Sequence, residues 1–308
     1  MSEKIYDTAI IGAGPAGLTV AIYCVRKTLS TILFEPKIPG GSLTLTNRIE
    51  NFPGFEKISG MELGEKMLLQ AQKLGVDFVP AKISEIKREE SNCFVLSASN
   101  GNSYRSKSIL LSTGASYRHL RAKGEKELFN RGVSFCATCD APFFKGKKVA
   151  VIGGGDSAFT SARLIKDYAS EVTIIHRRDE FRAQDRMLVE EVKKSGVKFL
   201  LNKEVIEIAG EKKVEKLILK DTKTGEQTSL PIDGVFINIG FEPENSLAKK
   251  SGAKISEAGY IEVDEGMRTN IAGIFAAGDV TGGVKQATVA VGQGAVASNS
   301  IYGYVKKG

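Results

Sequence analysis

The stretch Asp7–Gly17, DTAIIGAGPAG, reads as a short apolar strand running into G-x-G-x-x-G, and LTVAIYCVRK after it has the apolar spacing of a helix. A second strand, TILFE, follows and ends at Glu35, about 20 residues beyond Gly14. At that distance a carboxylate meets ribose hydroxyls in a dinucleotide-binding βαβ unit, while the glycines let a pyrophosphate approach the helix N-terminus. The glycines alone are weak evidence; strand, glycines, helix, second strand and terminal acid together are specific.

The same pattern recurs at KKVAVIGGGDSA, residues 147–158, a strand opening into G-x-G-x-x-A, followed by a helical stretch and the strand EVTIIHRRDEF. Two such units imply two dinucleotides or a two-part site. The second differs where the first has its acid: His176 stands there, with Arg177, Arg178 and Arg182 after it. A carboxylate repels a 2′-phosphate, whereas guanidinium groups pair with phosphate oxygens, so the second unit is expected to take NADPH rather than NADH. The competing explanation is a solvated charged turn.

Two further strand-like segments end in glycine, SILLSTGAS at 108–116 and GIFAAGDVTGG at 273–283. Gly278-Asp279 would put a carboxylate at the carboxyl edge of a sheet, where open α/β sheets bind ligands. Beyond it Ala287, Val291, Gly294, Ser298, Ile301 and Val305 recur with helical spacing. That helix would start near Lys285-Gln286-Ala287 and present free N–H groups to an anionic ligand. The order of pieces predicts an insertion: an outer domain from residues 1–118 and 245–308, and an inner one from 119–244.

Composition bounds the rest. The chain has 308 residues, 42% hydrophobic and 26% charged, enough for a globular protein of two domains. A net charge of +7 raises the question of nucleic acid, but basic and acidic residues are interspersed and no basic block exceeds three residues, so no nucleic-acid partner is expected. No apolar run approaches membrane-spanning length, and the N-terminus enters a strand without a signal-peptide core. A cytoplasmic protein without a membrane partner is the expectation. Four cysteines do not make a disulfide scaffold, and Cys136 and Cys139 in FCATCDAPF form a CxxC pair with Asp140 directly after it. In a reducing compartment such a pair is redox-active, metal-binding or inert.

GAGPAG, ENFPG, TGAS, CATCD, GGGDSA, HRRDEFR and GIFAAGDV, in this order and spacing, resemble the bacterial-type (low-molecular-weight) thioredoxin reductases over essentially the whole chain. The resemblance implies two Rossmann-like α/β domains, an NADPH domain inserted into an FAD domain, a redox disulfide on the inserted domain, a homodimer, and thioredoxin or a thioredoxin-like protein as partner. It places the FAD pyrophosphate on Gly12, Gly14 and Ala16, the adenosine ribose on Glu35, and the ribityl chain on Asp279, with Pro15, Gly17 and Gly278 as further cofactor contacts. Further FAD contacts fall on Gly41, Ser42, Thr113 and Gly114. The isoalloxazine is implied to meet Asn51 and the backbone of Gln286 and Ala287, with Lys285 a further cofactor contact. NADPH falls on Gly153, Gly155, Asp156, Ser157, His176, Arg177, Arg178 and Arg182. Cys139 is the sulfur implied to face the flavin, Cys136 the one to attack thioredoxin, and Asp140 the proton donor. The inserted domain is implied to rotate about its two connecting strands.

The chain also departs from the family pattern. It has Gly40-Gly41-Ser42 where G-G-Q is usual, Lys285-Gln286-Ala287 where R-Q-A is usual, and Thr160 and Ser161 where two acids are common. The last keeps a second function in view, a flavin disulfide reductase or dithiol oxidase of the same fold with another disulfide substrate or electron donor. A zinc site would need four ligands, but only Cys24 in a helix, Cys93 in a strand, and the isolated His119 and His176 remain to supply them. No metal is expected, and a redox disulfide is.

Overall fold

A computed structural model describes residues 4–46, 48–89 and 93–307. The outermost residues of the expected outer domain, 1–3 and 308, lie outside that range. The chain divides into two compact units, Tyr117–Phe241 and the described residues up to Ser116 and from Glu242 onward. The chain crosses between them along two paired strands, Ala115–Tyr117 and Phe241–Pro243.

In the outer unit the first glycine strand, Thr8–Ile11, lies at the centre of a five-stranded parallel sheet in the order Ile274–Ala276, Ile109–Leu111, Thr8–Ile11, Thr31–Phe34, Asp77–Val79. Apart from Thr8, Thr31 and the edge residue Asp77, its strand residues are apolar on both faces, as a covered parallel sheet requires. Ile10, Leu33, Leu110 and Phe275 pack under helices Pro15–Arg26 and Ala287–Lys307 through Leu18, Val20 and Ile301. Ile11, Phe34, Ile109 and Leu111 face the other way, against Ile83, Phe94 and Leu96 of an antiparallel layer. The two helices approach closely at Gly294, where a Cβ would stand 2.6 Å from the Ala16 carbonyl. Because only a small residue permits that approach, the C-terminal helix braces the helix that follows the first glycine loop.

The inner unit repeats the plan. Its parallel sheet runs Val133–Ser134, Gly234–Ile237, Lys148–Ile152, Glu171–Ile175, Lys198–Leu200, again with the glycine strand in the middle. Helices Asp156–Lys166 and Arg186–Lys194 cover one face through Phe159, Ala162, Ile165 and Val192. A three-stranded antiparallel sheet, Lys203–Ala209, Lys216–Asp221 and Gln227–Pro231, contributes Val205, Ile208, Leu217 and Leu219 to the other. The edge strand of each sheet leads to a reactive group: Ile274–Ala276 to Asp279, and Val133–Ser134 to Cys136. Among the described residues no helix is long and apolar enough to cross a membrane.

Candidate functional site

At the first glycine loop each glycine meets a different constraint. Gly12 has φ +106°, and a Cβ there would stand 2.3 Å from the Ser112 carbonyl, so the chain can turn tightly against the neighbouring strand only with glycine. A Cβ at Gly17 would stand 2.0 Å from the Gly12 carbonyl, which lets the helix begin hard against the sheet. Around Gly14, by contrast, nothing lies within 4 Å of the missing Cβ, and no side chain caps the helix there. The open side of the loop exposes helix N–H groups to a ligand of negative charge. A Cβ on Gly41 would stand 3.2 Å from Gly14 Cα, Gly40 N–H donates to the Ala13 carbonyl at 2.7 Å, and exposed Ser42 follows.

Glu35 closes the strand beside this loop. Its buried carboxylate accepts the Ala13 N–H through one oxygen and the Lys37 N–H through the other, both at 3.0 Å. Each oxygen keeps a lone pair for a further donor, such as a ribose hydroxyl. The remaining expected residues of this unit gather along the same sheet edge. Thr113 Oγ1 donates to the Glu244 carbonyl at 2.6 Å, and Glu244 N–H donates to the Gly114 carbonyl at 3.0 Å. Gly278 N–H donates to Gln293 Oε1 at 2.7 Å, and burial pushes the Asp279 carboxyl above its ordinary range against the opposing field of Lys285.

The long helix Ala287–Lys307 starts where its spacing predicts. Asn51 Nδ2 donates to Gln286 Oε1 at 3.2 Å, which brings the ENFPG segment to that helix N-terminus. The Lys285 ammonium sits 4.4 Å above the Tyr260 ring, a cation–π contact that holds the preceding turn. A flavin carries growing negative charge when reduced, and a helix N-terminus is a stabilising neighbour for it.

The second glycine loop repeats the pattern of closed and open positions. A Cβ at Gly153 would stand 2.3 Å from the Asn238 carbonyl, whereas nothing lies within 4 Å of Gly155. Gly154 lies under His176, whose ring atoms would come within 2.4 Å of a Cβ. The segment after His176 folds back on the loop: Arg182 N–H donates to the Gly154 carbonyl at 2.6 Å, and Asp156 Oδ1 accepts from Gln184 and Asp185 N–H at 2.8 and 2.9 Å. Asp156 thus holds this segment in place, and exposed Ser157 follows it in the first helical turn. Burial lowers the His176 pKa, and Arg178, Arg177 and Arg182 push it the same way. The imidazole is therefore neutral at pH 7, while three exposed guanidinium groups supply positive charge at the end of the second strand. Thr160 is exposed on the same helix and Ser161 is buried in it.

Cys136 and Cys139 are joined by a disulfide, with Cα atoms 5.3 Å apart. Cys139 opens no separate element; it lies in the one-turn helix Ala137–Asp140, and its N–H points at Cys136 Sγ from 3.2 Å. Ser134 organises the pair: its Oγ accepts the Cys136 N–H at 3.1 Å and donates to Asp140 Oδ2 at 2.5 Å. Burial raises the Asp140 pKa although the Ser134 hydrogen bond opposes it. Phe135 stacks on Tyr117 at 4.8 Å. Cys24 is buried in the first helix with its pKa pushed up to about 12, and Cys93 is buried beside the strand Phe94–Ala98. Among the described residues no group of three or more His, Cys, Asp or Glu could hold a metal ion. Ser134 and Gln293 are the residues that motif reading misses, each acting on a motif residue but belonging to none, whereas Ser112 lies in the SILLSTGAS segment but its contact with Gly12 leaves no sequence signal.

Residues 6–294 match the family described as pyridine nucleotide-disulphide oxidoreductase. The chain is 44% identical over 307 residues to a thioredoxin reductase of Bacillus subtilis, covering 99% of this chain and 96% of the relative. It is 42% identical over 307 residues to a thioredoxin reductase of Listeria innocua, covering 99% and 95%. A crystal structure of thioredoxin reductase from Streptococcus pyogenes superposes with a TM-score of 0.91 at 39% identity, covering 100% of both chains.

Proposed function

The chain belongs to the pyridine nucleotide-disulphide oxidoreductases, and from that membership and the Cys136–Cys139 disulfide we infer that it reduces thioredoxin disulfide with NADPH through FAD. The disulfide carries this reading, because it is the group that can exchange with another protein's disulfide. The relatives of similar length and name do not favour the alternative of another disulfide substrate or electron donor.

FAD suits the outer unit. The cradle at Gly14 that a Cβ would fill, the two-sided Glu35 carboxylate and the helix start at Ala287 match pyrophosphate, ribose and flavin in turn. Held there, flavin would supply two-electron chemistry between a hydride donor and a disulfide. NADPH suits the inner unit, where Gly155 is open and the three arginines stand in place of an acid. Glu35→Ala leaves the ribose without its acceptor and frees the Ala13 N–H, so flavin affinity is expected to fall roughly tenfold or more. The flavin-to-protein absorbance ratio of the purified variant checks this; full occupancy would refute the placement.

Reduction of the pair adds two electrons and two protons and breaks the sulfur–sulfur bond. Asp140, with its raised pKa and its tie to Ser134, holds a proton to higher pH than an ordinary carboxyl and donates it to a departing thiolate. The Cys136 thiolate then attacks one sulfur of the partner disulfide, forming a mixed disulfide and expelling the partner's other sulfur as a thiolate. The Cys139 thiolate attacks Cys136 Sγ, which re-forms the internal disulfide and releases the reduced partner.

Thioredoxin reduction belongs where NADPH maintains reduced thiols, which favours the cytoplasm. The expected homodimer has support on the outer unit, where helices Pro15–Arg26, Gly60–Lys73 and Ala287–Lys307 expose Tyr23, Met61, Leu69, Val289, Val296 and Tyr302. Sedimentation velocity should return about twice the chain mass; a monomer at micromolar concentration would exclude this assembly.

A further inference from the structure

The inner sheet winds in one direction and then reverses. From Lys148–Ile152 the chain passes through a helix to Glu171–Ile175 on one side, and after Lys198–Leu200 and the antiparallel layer it returns on the opposite side as Gly234–Ile237. In open parallel sheets the ligand crevice lies outside the carboxyl ends of the two strands that flank such a reversal. The residues at that place are Gly153 and Asn238. Asn238 N–H donates to the Ile152 carbonyl at 2.8 Å, and a Cβ on Gly153 would stand 2.3 Å from the Asn238 carbonyl.

The side chain of Asn238 is the unusual part. Its Oδ1 is shielded from solvent and accepts no hydrogen bond. Among the described residues only Thr8 Oγ1, Arg105 Nε and His176 Nε2 share that condition among buried side-chain nitrogens and oxygens. Two of the four therefore flank one glycine loop, His176 over Gly154 and Asn238 beside Gly153. The outer unit offers a comparison, because Ser112 occupies the corresponding place beside Gly12. There the hydroxyl donates to the Ile11 and Gly12 carbonyls and is satisfied within the protein. A buried amide oxygen without a donor is unfavourable unless a ligand supplies one.

We propose that Asn238 binds the pyridine nucleotide, its carboxamide hydrogen-bonding hydroxyls of the nicotinamide-side ribose. This rests on the reading of the inner unit as the NADPH site. With the arginines on the side of Glu171–Ile175, a dinucleotide whose pyrophosphate crosses the loop at Gly155 extends its other half over the carboxyl end of Gly234–Ile237. Asn238 stands at that end, and a carboxamide can both accept from and donate to ribose hydroxyls.

Calorimetric titration of the FAD-loaded enzyme with NADP⁺ tests the proposal, together with steady-state kinetics and thioredoxin reduction by dithionite-reduced enzyme. Asn238→Ala is expected to raise the Kd for NADP⁺ and the KM for NADPH about tenfold, with kcat within about twofold and the dithionite-driven reaction unchanged. Asn238→Ser, which keeps a hydroxyl, should recover most of the affinity. Asn238→Asp should bind more weakly than Asn238→Ala, because its carboxylate faces a phosphate-bearing ligand. NADP⁺ affinity of Asn238→Ala or Asn238→Asp within twofold of native overturns the proposal, as does a fall in melting temperature without a change in Kd. Failure of the native enzyme itself to bind NADP⁺ would overturn the underlying assignment of the inner unit, a result distinguishable from the first.

Discussion

Cys136→Ser is expected to leave flavin reduction by NADPH at the native rate while slowing thioredoxin reduction by roughly a thousandfold or more, since hydride transfer to flavin needs neither sulfur and disulfide exchange needs both. Rapid mixing with NADPH reads the first half and a thioredoxin-coupled dye assay the second. Asp140→Asn separates the proton from the sulfurs. Its raised pKa means that Asp140 is protonated below, and ionised above, a pH higher than that of an ordinary carboxyl. Donation to a departing thiolate should therefore fall in the native enzyme as pH rises through that window. The asparagine variant should be slower by roughly tenfold to a hundredfold and lack that pH dependence, with solvent water acting as the donor. Native turnover by Cys136→Ser would remove the pair from the electron path.

The second large effect is on nucleotide choice. Removing both guanidinium groups in Arg177→Ala/Arg178→Ala should raise the KM for NADPH roughly thirtyfold to a hundredfold, leave kcat nearly unchanged and leave NADH almost unaffected, so that the two nucleotides approach parity. Both side chains are exposed, so the native preference should weaken as salt is raised, and the variant should lose much of that salt dependence. A change in KM below threefold would return the arginines to the role of a solvated charged turn. Folded His176 carries no compensating charge, because burial and the neighbouring guanidinium groups hold it neutral.

The parts of the fold legible in the sequence are those in which local backbone geometry restricts residue type. Gly12 is required by a positive φ and a carbonyl 2.3 Å from its missing Cβ, and that requirement writes itself into the chain as a glycine at a fixed distance from a strand. Glu35 is legible for a similar reason: it ends a strand parallel to the glycine strand, and register sets its spacing. The helix from Ala287 announces itself by small residues at helical steps because it must lie close to Ala16 and Thr19. Ser134, Gln293 and Asn238 leave no such signal. Gln293 reaches Gly278 across a loop and the first two turns of a helix, and Asn238 meets Gly153 only because the chain returns to the opposite side of the sheet after the antiparallel layer. Ser134 lies two residues before a recognisable motif, yet its hydroxyl bonds Asp140 only once the intervening segment turns into a single helical loop. Polar residues with such long-range roles look in sequence like any surface serine or amide.

With FAD bound, the chain holds two redox couples in series, the flavin and the Cys136–Cys139 disulfide. Anaerobic titration of the purified enzyme with dithionite, followed by addition of oxidised thioredoxin and counting of its new thiols, reads both couples at once. The native enzyme should take up about four electrons per chain, two for the flavin and two for the disulfide, and return them as thioredoxin thiols, whereas Cys136→Ser should take up about two and yield no thiols. Uptake of only two electrons by the native enzyme, or thioredoxin thiols from the fully reduced Cys136→Ser enzyme, would exclude the disulfide as the second couple.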